Sequence, residues 1–126
     1  MHEKRIEIRW RDIDAYQHVN QAVYLTYFEE VLDDWLRTVL GGVWDYVAAR
    51  VSIDYRAELR LEDRQAVGSV RLERVGTKSV TARAEIRAPD GRLAAEAELV
   101  VVARDPETGE SRKLNEAERA ALEAAA

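Results

Sequence analysis

Apolar and polar positions alternate from Arg5 to Trp10, with Ile6, Ile8 and Trp10 on one face and Arg5, Glu7 and Arg9 on the other, the period of a half-buried strand. A polar stretch from Arg11 to Asn20 breaks this pattern. Apolar residues then recur at spacings of three and four: Tyr24, Tyr27, Phe28, Val31, Leu32, Trp35, Leu36 and Val39. Glu29, Glu30, Asp33, Asp34 and Arg37 fill the complement. This spacing predicts one amphipathic helix of about five turns, started by Asn20 as N-cap and ended by Gly41-Gly42.

Alternation returns at Val51 and runs to Glu62, the clearest strand pattern in the chain. Three more strands are predicted: Gln65 to Val75, Ser79 to Ala88 and Arg92 to Arg104, the last two joined by the turn Pro89-Asp90-Gly91. The stretch from Leu93 to Leu99 is rich in helix formers. The hairpin before it and the β-branched Val100-Val101-Val102 after it weigh toward strand. Asp105 to Lys113 reads as a polar turn region, and Asn115 with Glu118 three residues on forms a capping box for a short terminal helix. Strand, long helix and four strands joined by tight turns define an α+β domain. It is an antiparallel five-stranded sheet curved over one helix, filling 1–126 as a single unit. An open sheet of this kind leaves edge strands, which pairing of two subunits would cover.

Composition narrows the function. The 126 residues carry 24 acids against 19 bases, a net charge of -5 with no basic block, so no nucleic acid and no anionic membrane is expected as partner. No cysteine is present and only His2 and His18 supply imidazole, so neither a disulfide nor a metal centre is expected. No run is long and apolar enough for a membrane span, the start MHEKRIEIR lacks the features of a signal peptide, and a cytoplasmic location is the expectation.

Chemistry concentrates in Trp10-Arg11-Asp12-Ile13-Asp14-Ala15-Tyr16-Gln17-His18-Val19-Asn20, which puts two carboxylates, an imidazole and an amide just before a helix N-terminus. Free N–H groups and the positive end of the helix dipole there can receive developing negative charge, while a nearby carboxylate can serve as base or nucleophile. These are the minimum parts for hydrolysing an activated acyl group. Local hydrogen bonding is the simpler reading of Asp12, and capping that of Asn20. The stripe Tyr24, Phe28, Val31, Trp35 reads as core, its N-terminal end lining an acyl tunnel. Ser52, Asp54 and Glu58 share the polar face of a strand, from which one of them could reach a partner's site.

Asp12-x-Asp14-x-x-x-His18-Val19-Asn20-x-x-x-Tyr24, followed by Tyr27-Phe28-Glu29, resembles the motif of hotdog-fold acyl-CoA thioesterases of the 4-hydroxybenzoyl-CoA thioesterase type and of the related plant acyl-ACP thioesterases. The resemblance spans roughly Lys4 to Arg104. It implies a hotdog fold, a sheet wrapped around one long helix, and subunits paired through a continuous sheet with active sites between them, as a homodimer or homotetramer. By position it makes Asp14 the catalytic acid residue, His18 a loop organiser or polariser, and the N–H near Gln21 an oxyanion donor. Asn20, Tyr16 and Tyr24 would line the substrate site, and the turn Thr77-Lys78-Ser79 would touch pantetheine and phosphates. The implied substrate is acyl-CoA, with no cofactor and no metal. A non-catalytic acyl-thioester-binding or assembly protein on the same scaffold is the alternative. Many relatives place glycine just before the histidine and a second asparagine after the first; here Gln17 and Gln21 stand in those places.

Overall fold

The computed structural model describes residues 1–126. The chain runs β1 (His2–Glu7), α1 (Gln21–Leu40), β2 (Tyr46–Tyr55), β3 (Gln65–Val75), β4 (Ser79–Arg87), β5 (Leu93–Ala103) and α2 (Glu116–Ala124), with short 3-10 turns at Trp10–Asp12 and Leu61–Asp63. The strands form one antiparallel five-stranded sheet in the order β1-β3-β4-β5-β2, curved around α1 as the alternation and the helix stripe require.

The helix forms where the sequence places it. The Asn20 side chain accepts the Ala22 N–H at 2.9 Å, and Gly41 takes the left-handed conformation, φ 77°, that ends the last turn. Its buried stripe is Tyr24, Tyr27, Phe28, Val31, Leu32, Trp35 and Leu36. These pack on inward-facing residues of the sheet such as Val70, Ala82, Ile86 and Leu99. The approach is close at Gly68, where a Cβ would stand 3.0 Å from Val31 Cβ. The terminal helix also starts as expected, with Asn115 and Glu118 each bonding the other's backbone N–H.

Two strands lie elsewhere than their patterns predict. β1 occupies His2–Glu7 rather than Arg5 to Trp10. Its first half faces inward with polar residues, His2 Nε2 lying 2.6 Å and Lys4 Nζ 3.9 Å from the Asp34 carboxylate of α1, so hydrophobicity gives no sign of it. At the other end the Arg9 N–H donates to Asp12 Oδ2 at 2.9 Å, which closes the 3-10 turn and swings Trp10 out to 82% exposure, away from Ile6 and Ile8. β2 covers Tyr46–Tyr55 rather than Val51 to Glu62. Past Tyr55 the chain leaves the ladder, with the Arg56 and Ala57 N–H groups both donating to Ala94 O. Burial still alternates because Leu59 turns inward onto α1, its N–H donating to Tyr24 Oη at 3.1 Å and its carbonyl accepting the Val19 N–H at 2.8 Å. A period of two reports alternating burial, and here the burial outlasts the sheet.

Candidate active site

The loop between the first 3-10 turn and α1 is a tight reversal. The Asp14 N–H donates to His18 O and the Gln17 N–H to Asp14 O, both at 3.1 Å, and Ile13 bridges Val19. Closing it puts Gln17 at φ 71°, in the left-handed region that favours glycine. The reversal brings Asp14 and His18 together: Asp14 Oδ1 accepts the Tyr16 N–H at 2.9 Å and lies 3.9 Å from His18 Nδ1. The same ring nitrogen is 3.3 Å from Val19 O.

On the other side of the ring, His18 Nε2 stands 3.8 Å from Glu58 Oε2. Glu58 belongs to the segment that has left β2, and Arg92 from the β4–β5 hairpin secures that segment by donating to Glu58 O at 3.2 Å and to Asp63 Oδ2 at 3.0 Å. Arg60 binds the outer oxygen, Glu58 Oε1, and this pairing holds the carboxyl below the usual carboxylate range, assisted by Arg60, His18 and Arg92 charges. Polar-face parity groups Glu58 with Ser52 and Asp54; because the strand stops at Tyr55, Glu58 instead faces the helix end of its own protomer.

A cleft of about 280 Å³ opens there, lined by His18, Val19, Gln21, Tyr24, Tyr55, Arg56, Ala57 and Glu58. At its floor α1 begins. Asn20 claims the first-turn N–H groups of Ala22, through its side chain, and Val23, through its carbonyl, both at 2.9 Å, while the Gln21 N–H has no partner within the chain. The Gln21 carbonyl accepts the Tyr55 hydroxyl at 2.9 Å, which ties the end of β2 to the start of the helix.

The remaining residues singled out from the sequence divide. Tyr24 is buried, with its ring edge-on to Tyr55 at 5.3 Å between centroids and its hydroxyl engaged by Leu59; burial raises its pKa. Tyr16 is 80% exposed and stacks on His18 outside the cleft, centroids 6.2 Å apart. Asp14 lies behind His18 and does not line the cleft. Asp12 is buried and structural, accepting the Arg9 N–H and the Tyr27 hydroxyl, the latter at 2.7 Å. Thr77, Lys78 and Ser79 sit in the β3–β4 turn at the far end of the sheet. Ser79 pairs with Val102 and Val102 with Val47, eight residues from Tyr55, or about 26 Å at ~3.3 Å per residue. One protomer therefore does not bring that turn to its own cleft. No three His, Asp or Glu side chains cluster closely enough to hold a metal ion.

A sheet curved over one helix, with an Asp-His pair at the helix start, is the hotdog architecture, and the family comparison agrees. The model of the thioesterase-like superfamily matches residues 8–123, and the chain belongs to that family. The fold and family anticipated from the motif are thus the ones found. Among individual proteins, the chain is 28% identical over 112 residues to the long-chain acyl-CoA thioesterase FadM of Escherichia coli, covering 84% of this chain and 85% of that one. A Thermus thermophilus thioesterase solved with coenzyme A and zinc superposes with a TM-score of 0.86 at 29% identity, over 97% of this chain and 91% of the other. The probable thioesterase YbaW of Escherichia coli gives 0.81 at 27% identity, over 99% and 98%.

Proposed function

We propose that this protein hydrolyses acyl-CoA thioesters to the free acid and coenzyme A at the cleft where α1 begins. The observation that carries the reading is the unpartnered N–H of Gln21, the first residue of α1, in a residue that lines the same cleft as His18, with the Asp14 carboxylate 3.9 Å from the other side of the ring. In the reaction, water adds to the thioester carbonyl, the Gln21 N–H and helix dipole hold the oxyanion, and collapse expels the thiolate, which takes up a proton. Asp14, which does not itself line the cleft, acts on a group held beside the His18 ring, as general base for water or as the nucleophile that displaces the thiolate and forms an anhydride later opened by water. His18 organises the loop and polarises the reacting group.

The acting unit in this reading is a pair of subunits, alone or within a tetramer. β2 has a ladder partner on one side only, and its inward face, Tyr46, Ala48, Val51, Ile53 and Tyr55, is apolar yet poorly covered, with Val51 37% and Tyr55 45% exposed. Antiparallel pairing of two β2 edges continues the sheet and covers that face. It also sets the Tyr46 end of one copy beside the Tyr55 end of the other. The second copy's Thr77-Lys78-Ser79 turn then lies about three strand spacings, ~14 Å, from the cleft, within the span of an extended pantetheine arm.

The test is thiol release from short, long and aromatic acyl-CoA by wild type and Asp14→Asn. The substitution removes the charge at nearly constant shape, and turnover is expected to fall by at least about 100-fold with the oligomer intact. Unchanged turnover would remove Asp14 from the mechanism. Acyl-CoA binding by calorimetry with no thiol released by wild type would select a non-catalytic binding protein instead.

A further inference from the structure

The cleft holds a carboxylate that takes no part in the proposed hydrolysis. Glu58 lines it directly, whereas Asp14 stands behind the imidazole. The two oxygens of Glu58 face different groups: Oε1 is bound by Arg60, and Oε2 points across the cleft mouth at His18 Nε2, 3.8 Å away. That gap is too short to admit a water between the atoms and too long for a formed hydrogen bond, so a small side-chain rotation closes it. His18 is thereby flanked on both nitrogens, by Val19 O and Asp14 on one side and Glu58 on the other, with Tyr16 stacked on the ring.

Charge and anchoring fit a built arrangement. Arg60 and Arg92 surround Glu58, and Arg92 pins its main chain to the β4–β5 hairpin, fixing where the carboxylate can reach. Arg56, Tyr55 and Tyr24 complete the charged and titratable groups around the opening. The side chain is 45% exposed, and within that exposed setting its two oxygens are directed to two different groups, Arg60 and His18.

We propose that Glu58 is a positioning residue that grips His18 from the side opposite Asp14 and keeps the imidazole turned to the cleft during thioester cleavage. This inference rests on the thioesterase reading for its kinetic consequence, and on geometry alone for its structural one. Glu58→Gln keeps the size of the side chain and removes the charge. Its kcat is expected to fall roughly ten- to a hundredfold, less than the loss typical of removing a proton-transfer group, with KM changed by about twofold or less. In a His18→Gln background the same change is expected to cost nothing further, because the residue acts through the ring. Wild-type kcat in Glu58→Gln, or losses that multiply in the double variant, would overturn the proposal.

A second readout needs no turnover. With only His2 and His18 in the chain, the His18 ring signals are identified in NMR spectra by their absence from His18→Gln. They are expected to shift in Glu58→Gln and hold still in Glu62→Gln, a neighbouring carboxylate that does not line this cleft. An unmoved ring in Glu58→Gln refutes the grip whatever the enzyme assay gives. Moved signals with no thioester cleavage by wild type would leave the grip standing and refute the thioesterase reading alone.

Discussion

Replacing Gln17 by glycine isolates the backbone cost of the reversal that carries Asp14 and His18. Gln17 sits at φ 71°, its side chain is exposed, and that side chain makes no hydrogen bond, so little besides main-chain conformation changes on substitution. An L-residue pays about 1–2 kcal/mol in the left-handed region. Glycine escapes that cost but loses about 0.5–1 kcal/mol more chain entropy on folding. The net expectation is a stabilisation of about 0.5–1 kcal/mol, or roughly 2–4 °C in Tm for a chain of this length. Gln17→Ala deletes the same side chain and keeps the Cβ, so it is expected to stay within about 0.5 kcal/mol of wild type. Gln17→Val adds β-branching and is expected to lose about 1 kcal/mol. Urea unfolding of the four proteins at one fixed concentration measures the differences. A glycine variant no more stable than the alanine variant would refute the assignment of strain to this position.

Other substitutions test separate parts of the molecule. Gly68→Ala sets a methyl 3.0 Å from Val31 Cβ, and urea unfolding should show a loss of about 1–3 kcal/mol, partly recovered when Val31→Ala makes room. Glu118 is held at about 2, against 4.5 ordinarily, mainly by Arg112, with the Asn115 N–H and Trp44 Nε1 contributing. Since its folded pKa is depressed, the stabilisation is complete above about 4.5 and fades as pH falls toward 2. Glu118→Gln should therefore trail wild type by on the order of 1–2 kcal/mol at pH 7, with solvent screening allowed for, and the gap should narrow on acidification in denaturant titrations. Sedimentation of wild type should show the proposed subunit pair, and Val51→Lys, which puts a charge on the apolar face of β2, should run as a monomer; a monomeric wild type or a paired variant would contradict pairing through that edge.

Elements whose signals act within a single turn or along a fully paired strand lie where the sequence puts them. α1 was legible to the residue because its caps and stripe are local chemistry: Asn20 and Gly41 act within one turn of themselves. β3 matches its predicted bounds, and β4 and β5 lie within one residue of theirs, since each pairs along its whole length. The edges were harder. β1 begins on residues held by an ion pair to Asp34, and β2 stops where its neighbour β5 begins; both are facts about a second element. The site follows the same division. Asp14, His18 and Asn20 were legible as a contiguous stretch before a helix. Glu58 was not, because only the departure of the chain from β2 turns it to His18, and 40 residues separate the two. The alternating pattern from Val51 to Glu62 carried no local mark of the point where the chain leaves the sheet.

The absence of a side chain at Gly68 has a consequence for how this scaffold can diversify. With α1 pressed onto the sheet and Phe28, Val31 and Leu36 wholly enclosed, the protomer offers a fatty tail no passage through its middle. In the proposed reaction a tail outgrowing the cleft lies along Val51 and Ile53, on the inward face of β2 that the packed centre leaves poorly covered. Length selectivity can then drift by changes along one rim while the packed centre, and with it foldability, stays untouched.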